Sequence, residues 1–264
     1  MRSPAYLIPA TLAEALEHGS QQPDDCVYLA GGTDFMLHRK HLLDVRPIVI
    51  DLSEVAELRQ LQADAKSVTI GAGVTLAELA DHPVIEQNFP LICTAAQSIA
   101  TAVIRQTATV GGNLLARNRC NYYNQSPDWR VAAGACLRDG GDVCLVTGTA
   151  KHCYSRAISD LAPALIALEA RITIQRSGGA ETVPLIEIYA PDGLKPYRKL
   201  GAGAIITNIE LDRRPRRTWF RKLRTRASLD FTSLTVAAAV DDSDHARVCL
   251  GGVAPAPVLV EGAL

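Results

Sequence analysis

An aperiodic polar segment, residues 115–155, interrupts this 264-residue chain near its middle. The segment is rich in Asn, Tyr, Arg and Gly, and it lacks the spacing of apolar residues that marks a helix or a strand. A loop of this length inside a domain is unusual and tends to be either functional or disordered. Because burial alone cannot offset the entropy of ordering it, an ordered segment of this kind needs a further source of stabilisation.

Cysteine is concentrated in the same segment. Four of the seven cysteines fall within it: Cys120, Cys136, Cys144 and Cys153. The N-terminus shows neither a signal peptide nor a membrane span, so we expect a cytoplasmic protein without a membrane contact, in which disulfides are disfavoured. The cluster therefore indicates metal or redox chemistry, although its spacings are not of the CxxC kind and are a weak signal by themselves. The other three cysteines are expected to be small buried hydrophobic residues: Cys26, Cys93 and Cys249.

Two glycine pairs follow apolar segments, in Leu29-Ala30-Gly31-Gly32-Thr33-Asp34 and in Thr109-Val110-Gly111-Gly112-Asn113. Glycine lets backbone N–H groups approach an anion because no Cβ intervenes, and successive N–H groups form a nest for phosphate oxygens. Neither pair belongs to a GxGxxG or Walker A motif. One such pair is usually only a turn, but two of them, each beside hydroxyl or amide side chains, favour a phosphate site.

Periodicity in the rest of the chain predicts an α+β fold. We predict helices over 11–19, 76–81, 89–102, 160–168 and 231–240. Strands are predicted over 26–30, 46–52, 67–72, 170–175, 204–211, 218–226 and 247–253. Thr11 and Glu14 form a capping box for the first helix, which we expect Gly19 to end. The turn at Gly178-Gly179 is the predicted division between a domain of residues 1–177 and one of residues 178–264.

The charge of the chain gives no reason to expect a nucleic-acid partner. The formal net charge is −1, and the basic run over residues 213–226, with eight Lys or Arg, is accompanied by no nucleic-acid-binding motif. This run is either a solvated face or a docking surface for an acidic ferredoxin or a sister subunit. No nucleophile or acid–base pair stands out, so we predict no catalytic side chain and expect the chemistry to come from cofactors.

Six ordered motifs carry a family resemblance that covers nearly the whole chain. They are AGGTDFML (30–37), IGAGVTLAEL (70–79), TVGGNL (109–114), SDLAPALIAL (159–168), FRKLRTRASLDF (220–231) and RVCLGGVAPAPV (247–258). Together they resemble the FAD-binding subunits of molybdopterin hydroxylases, a family that includes the flavin domains of xanthine dehydrogenase and the medium subunits of carbon monoxide dehydrogenase. The resemblance implies a two-part, PCMH-type FAD-binding domain followed by a smaller α+β C-terminal domain, whose helical tail we expect to be short or missing.

The resemblance also implies where FAD binds. It places the FAD pyrophosphate over Leu29, Ala30, Gly31, Gly32, Thr33 and Asp34 and over Thr109, Gly111, Gly112 and Asn113. Asp160 is expected near the ribityl chain and the flavin ring, and Ile206 and Lys222 near the isoalloxazine. From the residues alone, Asp160 could equally cap the helix that follows it.

The insertion, residues 115–156, is similar to that in the corresponding subunit of 4-hydroxybenzoyl-CoA reductase. The likeness is carried by CNYYNQSPDWR (120–130), CLRDGGDVC (136–144) and HC (152–153). It implies a [4Fe-4S] cluster held by Cys120, Cys136, Cys144 and Cys153, and cluster binding would supply the energy that orders the loop. The alternatives are tetrahedral zinc held by the same thiolates and a disordered loop.

As a whole, the resemblance implies an electron-transfer subunit in a dimer of heterotrimers. It would relay electrons between a ferredoxin-like carrier and partner subunits, a small one with [2Fe-2S] clusters and a large one with molybdopterin, where the substrate reacts. One alternative is the same type of subunit in another molybdenum hydroxylase, acting on an N-heterocycle or an aldehyde. The other is a zinc-stabilised binding module without a redox role.

Overall fold

Three β-sheets organise the chain, and the computed structural model describes residues 3–201, 203–226 and 229–263. The first sheet has three parallel strands, β1 (Ala5–Leu7), β2 (Cys26–Leu29) and β3 (Ile48–Asp51), in the order β1-β3-β2. Parallel neighbours need a crossover connection, and helices α1 (Leu12–Gln21) and α2 (Phe35–Lys40) provide these connections.

Helix α1 begins where the sequence predicts but ends later. The Thr11 side chain accepts a hydrogen bond from the backbone N–H of Glu14, and the helix does not end at Gly19. Gly19 serves close packing instead, because a Cβ there would lie 1.9 Å from the hydroxyl oxygen of Tyr28. That hydroxyl donates to the carbonyl of Ala15, so a hydrogen bond joins α1 to β2.

The second sheet takes its five strands from distant parts of the chain. They are β4 (Leu61–Ala63), β5 (Val68–Gly71), β6 (Arg171–Arg176), β7 (Gly179–Pro184) and β8 (Ile205–Leu211), in the antiparallel order β4-β5-β8-β6-β7. Strand β8 lies between β5 and β6 and so joins the segments before and after the insertion. The predicted boundary between residues 177 and 178 falls in the turn between β6 and β7, so this sheet continues across it.

Short helices build the main hydrophobic core. They are α3 (Leu76–Ala80), α4 (Pro83–Asn88), α5 (Pro90–Gln97), α7 (Val110–Leu114) and α9 (Leu161–Ala167). Helix α6 (Ala102–Arg105) lies at the edge of this core, and α8 (Pro127–Ala133), in the insertion, buries no residue. The predicted helix over 89–102 is divided into α5 and α6, and between them Ala100 has a φ of 48°, which an α-helix cannot accommodate. All seven residues of α9 are buried. No helix in the described ranges is long and apolar enough to cross a membrane.

The third sheet is a meander of the last four strands. They are β9 (Arg217–Leu223), β10 (Leu234–Val240), β11 (His245–Gly251) and β12 (Val258–Ala263). The predicted helix over 231–240 is wrong, because most of that segment is strand β10. Alanine is a strong helix former and misleads here. Strand β10 is paired on both sides and buries Thr235, Ala237 and Ala239 on one face, so tertiary pairing overrides local propensity.

Candidate functional site

The first glycine turn connects β2 to α2. A Cβ on Gly31 would lie 2.0 Å from the carbonyl oxygen of Thr107 and 3.0 Å from the Cα of Ala108, so only glycine fits there. Gly32 has a positive φ of 68°, which glycine adopts without strain. Within the described part of the chain, the backbone N–H groups of residues 31–34 donate to no backbone carbonyl. They are therefore available to an anion, as the sequence predicts.

The second glycine segment is not an open turn, so the expectation of a second nest is wrong. Thr109 caps α7, with its side-chain oxygen accepting from the N–H of Gly112. The N–H groups of Val110 and Gly111 donate to carbonyls in the segment 72–74. Three N–H groups are thus used inside the protein. The segment nevertheless borders the first turn, which touches the residues just before it.

Asp160 and Lys222 form a buried ion pair, with 2.6 Å between Oδ2 and Nζ. Their side chains are only 4% and 6% exposed, respectively. Burial raises the pKa of Asp160, although the Lys222 ammonium acts in the opposite direction. Lys222 also donates to the carbonyl of Ser98 at 3.1 Å. The basic run that contains Lys222 suggested an exposed side chain. Lys222 is buried because it lies on the inward face of β9.

Asp160 stands at the N-cap position of helix α9, but its side chain makes no cap hydrogen bond there. The Ser159 side chain supplies that bond, because its Oγ accepts from a backbone N–H of α9 at 3.0 Å. The same hydroxyl donates to Oδ1 of Asn113 at 2.7 Å. The Asp160 carboxylate instead pairs with Lys222 and accepts from Oγ1 of Thr235. Ser159 therefore links the second glycine segment to the ion pair.

Ile206 is the predicted site residue that the structure places least favourably. It lies on β8 with its side chain in the main core, only 3% exposed. Any contact with a surface ligand would therefore involve its backbone. The other predicted FAD-binding residues form one continuous region, from the first turn through the second glycine segment to the ion pair.

Three basic residues beside the first turn were not predicted from the sequence as site residues: Arg117, Arg119 and His38. Arg119 donates to the carboxylate of Asp34 and contacts Nε2 of His38. The backbone N–H of Arg117 lies 3.4 Å from the same carboxylate. Burial, reinforced by Arg119, lowers the pKa of His38 to about 4 against the raising effect of Asp34. The sequence feature that could have drawn attention to Arg119 is its position immediately before Cys120, a predicted cluster ligand.

All four cysteines of the insertion line one cavity. Cys136, Cys144 and Cys153 are buried, and Cys120 is partly exposed. The remaining lining residues are Tyr122, Tyr123, Leu137, Arg138, Leu145 and Val146. Among the described residues, no three His, Cys, Asp or Glu side chains are arranged to hold a single metal ion.

Cys144 of the insertion differs electrostatically from the cysteines outside it. Burial alone would raise the pKa of Cys144, but hydrogen bonds from the backbone N–H groups of Tyr154 and Val146 and from Thr147 outweigh it and lower the pKa. These donors favour the thiolate, which is the form that binds metal. Burial instead raises the pKa of the thiols outside the insertion, Cys26, Cys93 and Cys249. These three are buried, which confirms the prediction for them.

The insertion is more ordered than its sequence pattern predicts. Ser126 caps helix α8 by accepting from the N–H of Trp129, and Pro127 is the first helical residue. Ser followed by Pro is a recognised helix start, so this signal was present in the sequence. The two ends of the insertion are joined, because the backbones of Arg119 and Arg156 exchange two hydrogen bonds of 2.9 Å each.

The chain matches flavin subunits of known oxidoreductases. Residues 2–213 match the family model of the FAD binding domain in molybdopterin dehydrogenase. The aldehyde oxidoreductase FAD-binding subunit PaoB of Escherichia coli is 31% identical over 100% of this chain and 85% of that protein. The nicotinate dehydrogenase FAD-subunit of Eubacterium barkeri is 24% identical over 94% of this chain and 72% of that protein.

Solved structures show the same fold. Carbon monoxide dehydrogenase from Hydrogenophaga pseudoflava aligns with a TM-score of 0.76 and 21% identity, covering 98% of this chain and 77% of that one. Quinoline 2-oxidoreductase from Pseudomonas putida aligns with a TM-score of 0.74 and 21% identity, covering 98% and 78%. The predicted FAD-binding fold of mixed helices and strands is thereby confirmed. The chain therefore belongs to the family of molybdopterin dehydrogenase FAD-binding domains and is the FAD-binding subunit of an oxidoreductase of the molybdenum hydroxylase type.

Proposed function

We propose that this chain is an electron-transfer subunit that holds both FAD and a [4Fe-4S] cluster. The cluster ligands are Cys120, Cys136, Cys144 and Cys153. The observation that carries the proposal is the convergence of these four cysteines, widely spaced in the sequence, on one cavity. Hydrogen-bond donors directed at Cys144 add to it, because they favour the thiolate that a cluster requires.

The likeness of the insertion to that of 4-hydroxybenzoyl-CoA reductase favours a cluster over a single zinc ion. Tetrahedral zinc needs Zn–S distances of about 2.3 Å, which would bring the four sulfurs into mutual contact. A cubane cluster is larger and holds its thiolates farther apart around a shared centre. Membership in a family of flavin-dependent oxidoreductase subunits also excludes the binding module without a redox role.

FAD would lie along the region from the first glycine turn to the ion pair. The available N–H groups of residues 31–34 suit its pyrophosphate, and the exposed Gly112 and the side chain of Asn113 border the same region. The Asp160–Lys222 ion pair would place a buried carboxylate and a buried ammonium beside the flavin ring. When bound, FAD exchanges two electrons and passes them singly, which connects one-electron and two-electron carriers.

The partners follow from the resemblance to 4-hydroxybenzoyl-CoA reductase. They are a large molybdopterin subunit, a small [2Fe-2S] subunit and a ferredoxin-like carrier, in a dimer of heterotrimers. Arg217 and Arg221 lie on the exposed face of β9, so the basic run offers a positive surface to an acidic carrier. By the same resemblance, the substrate would react at molybdenum on the large subunit.

A second candidate is the same kind of subunit in an aldehyde-oxidising enzyme. The observation that favours it is the 31% identity to an aldehyde oxidoreductase FAD-binding subunit along the whole chain. The two candidates share the role of this chain and differ in the substrate of the large subunit. Turnover of an aromatic aldehyde, compared with 4-hydroxybenzoyl-CoA, by the assembled complex distinguishes them.

The cofactor content tests the proposal directly. After anaerobic expression, we expect a flavin spectrum over a broad brown shoulder, with about four iron atoms and four sulfides per chain. Cys136→Ser should lose the shoulder and the iron. Cys93→Ser is the matched control, because Cys93 is buried outside the insertion and a serine can still donate to the carbonyl of Leu79. Flavin without iron in the wild-type protein would remove the cluster and leave the flavin subunit.

A further inference from the structure

We propose that Arg119 is a positioning residue that couples the cysteine loop to the FAD-binding turn, so that filling the loop tightens FAD binding. The inference rests on the proposed function for the loop. Its basis is a continuous set of contacts from the cysteine cavity, through the two joined ends of the insertion, to Asp34.

Arg119 connects the two sites directly. It immediately precedes Cys120, which lines the cavity. Its guanidinium reaches the start of helix α2, where Nη2 donates to the carboxylate of the N-cap residue Asp34 and Nη1 contacts Nε2 of His38. The side chain is only 13% exposed, and Phe231 lies 5.0 Å below the guanidinium. A guanidinium enclosed in this way has few other positions, so its contact with Asp34 holds the start of the insertion against the first glycine turn.

The position of Arg119 is set by the neck of the insertion, which we define as Asn118-Arg119 and Ser155-Arg156. Two backbone hydrogen bonds of 2.9 Å join Arg119 to Arg156. The Asn118 side chain donates to the carbonyl of Ser155 at 3.0 Å. Arg138, which lines the cavity, donates to the carbonyl of Asn118 at 3.0 Å. The cavity and the neck are therefore one hydrogen-bonded unit.

His38 helps to orient the Arg119 side chain at the end nearer the FAD-binding turn. Its Nε2 must accept from Arg119, so the ring proton resides on Nδ1, which is buried without a hydrogen-bond partner among the described residues. Burial and the neighbouring Arg119 keep the imidazole neutral, since they lower the pKa of His38 to about 4. Arg119 thus has two acceptors, Asp34 and a neutral imidazole, on one short helix. With two acceptors in fixed places, the guanidinium has a defined orientation.

The consequence for FAD follows from the place of Asp34. It ends the turn whose N–H groups at residues 31–34 are available to the pyrophosphate. If the loop opens, the neck loses its hydrogen bonds, Arg119 releases Asp34, and the end of the turn is no longer held in place. Coupling of this kind is reciprocal and commonly amounts to a 5- to 150-fold change in affinity. We expect an effect of about 10-fold.

The test measures the dissociation constant of FAD by flavin fluorescence, before and after anaerobic reconstitution with iron and sulfide. We expect reconstitution to lower the constant about 10-fold in the wild-type protein, but to have no comparable effect in Arg119→Gln at equal iron content. Arg119→Lys should retain part of the effect, because one ammonium can reach Asp34 but not both acceptors. Arg59→Gln is the control, because its side chain donates to the carbonyl of Ser53, outside the insertion and the neck, and it should keep the full effect.

The outcomes separate this inference from the proposed cluster. If the wild-type protein takes up no iron, the cluster and the coupling are both wrong. If it takes up iron without a change in FAD affinity, or if Arg119→Gln responds like the wild type, only the coupling is wrong. Should Arg119→Gln fail to fold, Asp34→Asn removes the same ion pair from the other side, and an undiminished response there would equally overturn the proposal.

Discussion

Replacing Lys222 by methionine tests the buried ion pair beside the proposed flavin ring. The change keeps most of the apolar side chain but leaves the Asp160 carboxylate, 4% exposed, without its cation. Removing one partner of a buried pair costs about 3–5 kcal/mol, because the remaining charge is uncompensated. The hydroxyl of Thr235 still donates to Asp160, so we expect the lower end of that range, about 3 kcal/mol at pH 8.

The loss should depend on pH in a defined direction. Burial raises the pKa of Asp160 above its ordinary value even beside Lys222, and the variant removes the opposing positive charge. The folded variant therefore binds a proton more tightly than the unfolded chain does. The stability that this proton provides is present at low pH and is lost as the pH rises through the folded pKa. The difference between variant and wild type should thus be smaller at pH 5 than at pH 8.

Urea unfolding followed by circular dichroism at the two pH values measures both effects. Asp160→Asn combined with Lys222→Met removes the buried charge, so the double variant should be more stable than Lys222→Met alone. Arg221→Met, on the exposed face of the same strand, is the matched control and should change the free energy of unfolding by about 0.5 kcal/mol or less. An Lys222→Met protein as stable as the wild type at pH 8, or equally destabilised at both pH values, would refute the reasoning.

Three further perturbations have defined outcomes. Gly31→Ala should weaken FAD binding in a fluorescence titration and cost about 1–3 kcal/mol, since its Cβ would lie 2.0 Å from a carbonyl, whereas Gly178→Ala, with open space around it, should do neither. Burial lowers the pKa of His38 to about 4, below an unfolded value of about 6.5, so its contribution is present above about pH 6.5 and is lost as the pH falls, by about 3 kcal/mol near pH 4. His38→Gln should flatten this part of the stability–pH curve, and an unchanged slope would contradict the assignment. Reversing the charge of the basic run at Arg213, Arg214, Arg216 and Arg217 should slow ferredoxin-linked turnover of the assembled complex, and unchanged rates at low salt would exclude docking there.

Local sequence signals were sufficient where the structure is decided by neighbouring residues. Thr11 caps α1, and Thr75 with Glu78 forms a capping box at α3, since cap hydrogen bonds join residues only three positions apart. The first glycine turn has the conformation its sequence indicates, because Gly32 takes a positive φ. The same local reasoning failed for TVGGN, where Thr109 uses the N–H of Gly112 to begin a helix instead of a nest.

The sequence by itself determined the family, the order of most elements and the identity of the four clustered cysteines, because each is carried by short motifs or by composition. The tertiary structure alone decided that β10 is a strand, that Lys222 turns inward to Asp160, and that Arg119 reaches Asp34 from 85 positions away. Strand pairing and ion pairing between distant segments depend on which surfaces the whole fold brings into contact. Burial then changes the strength of those contacts by removing water, and neither effect is recorded in the spacing of residues along the chain.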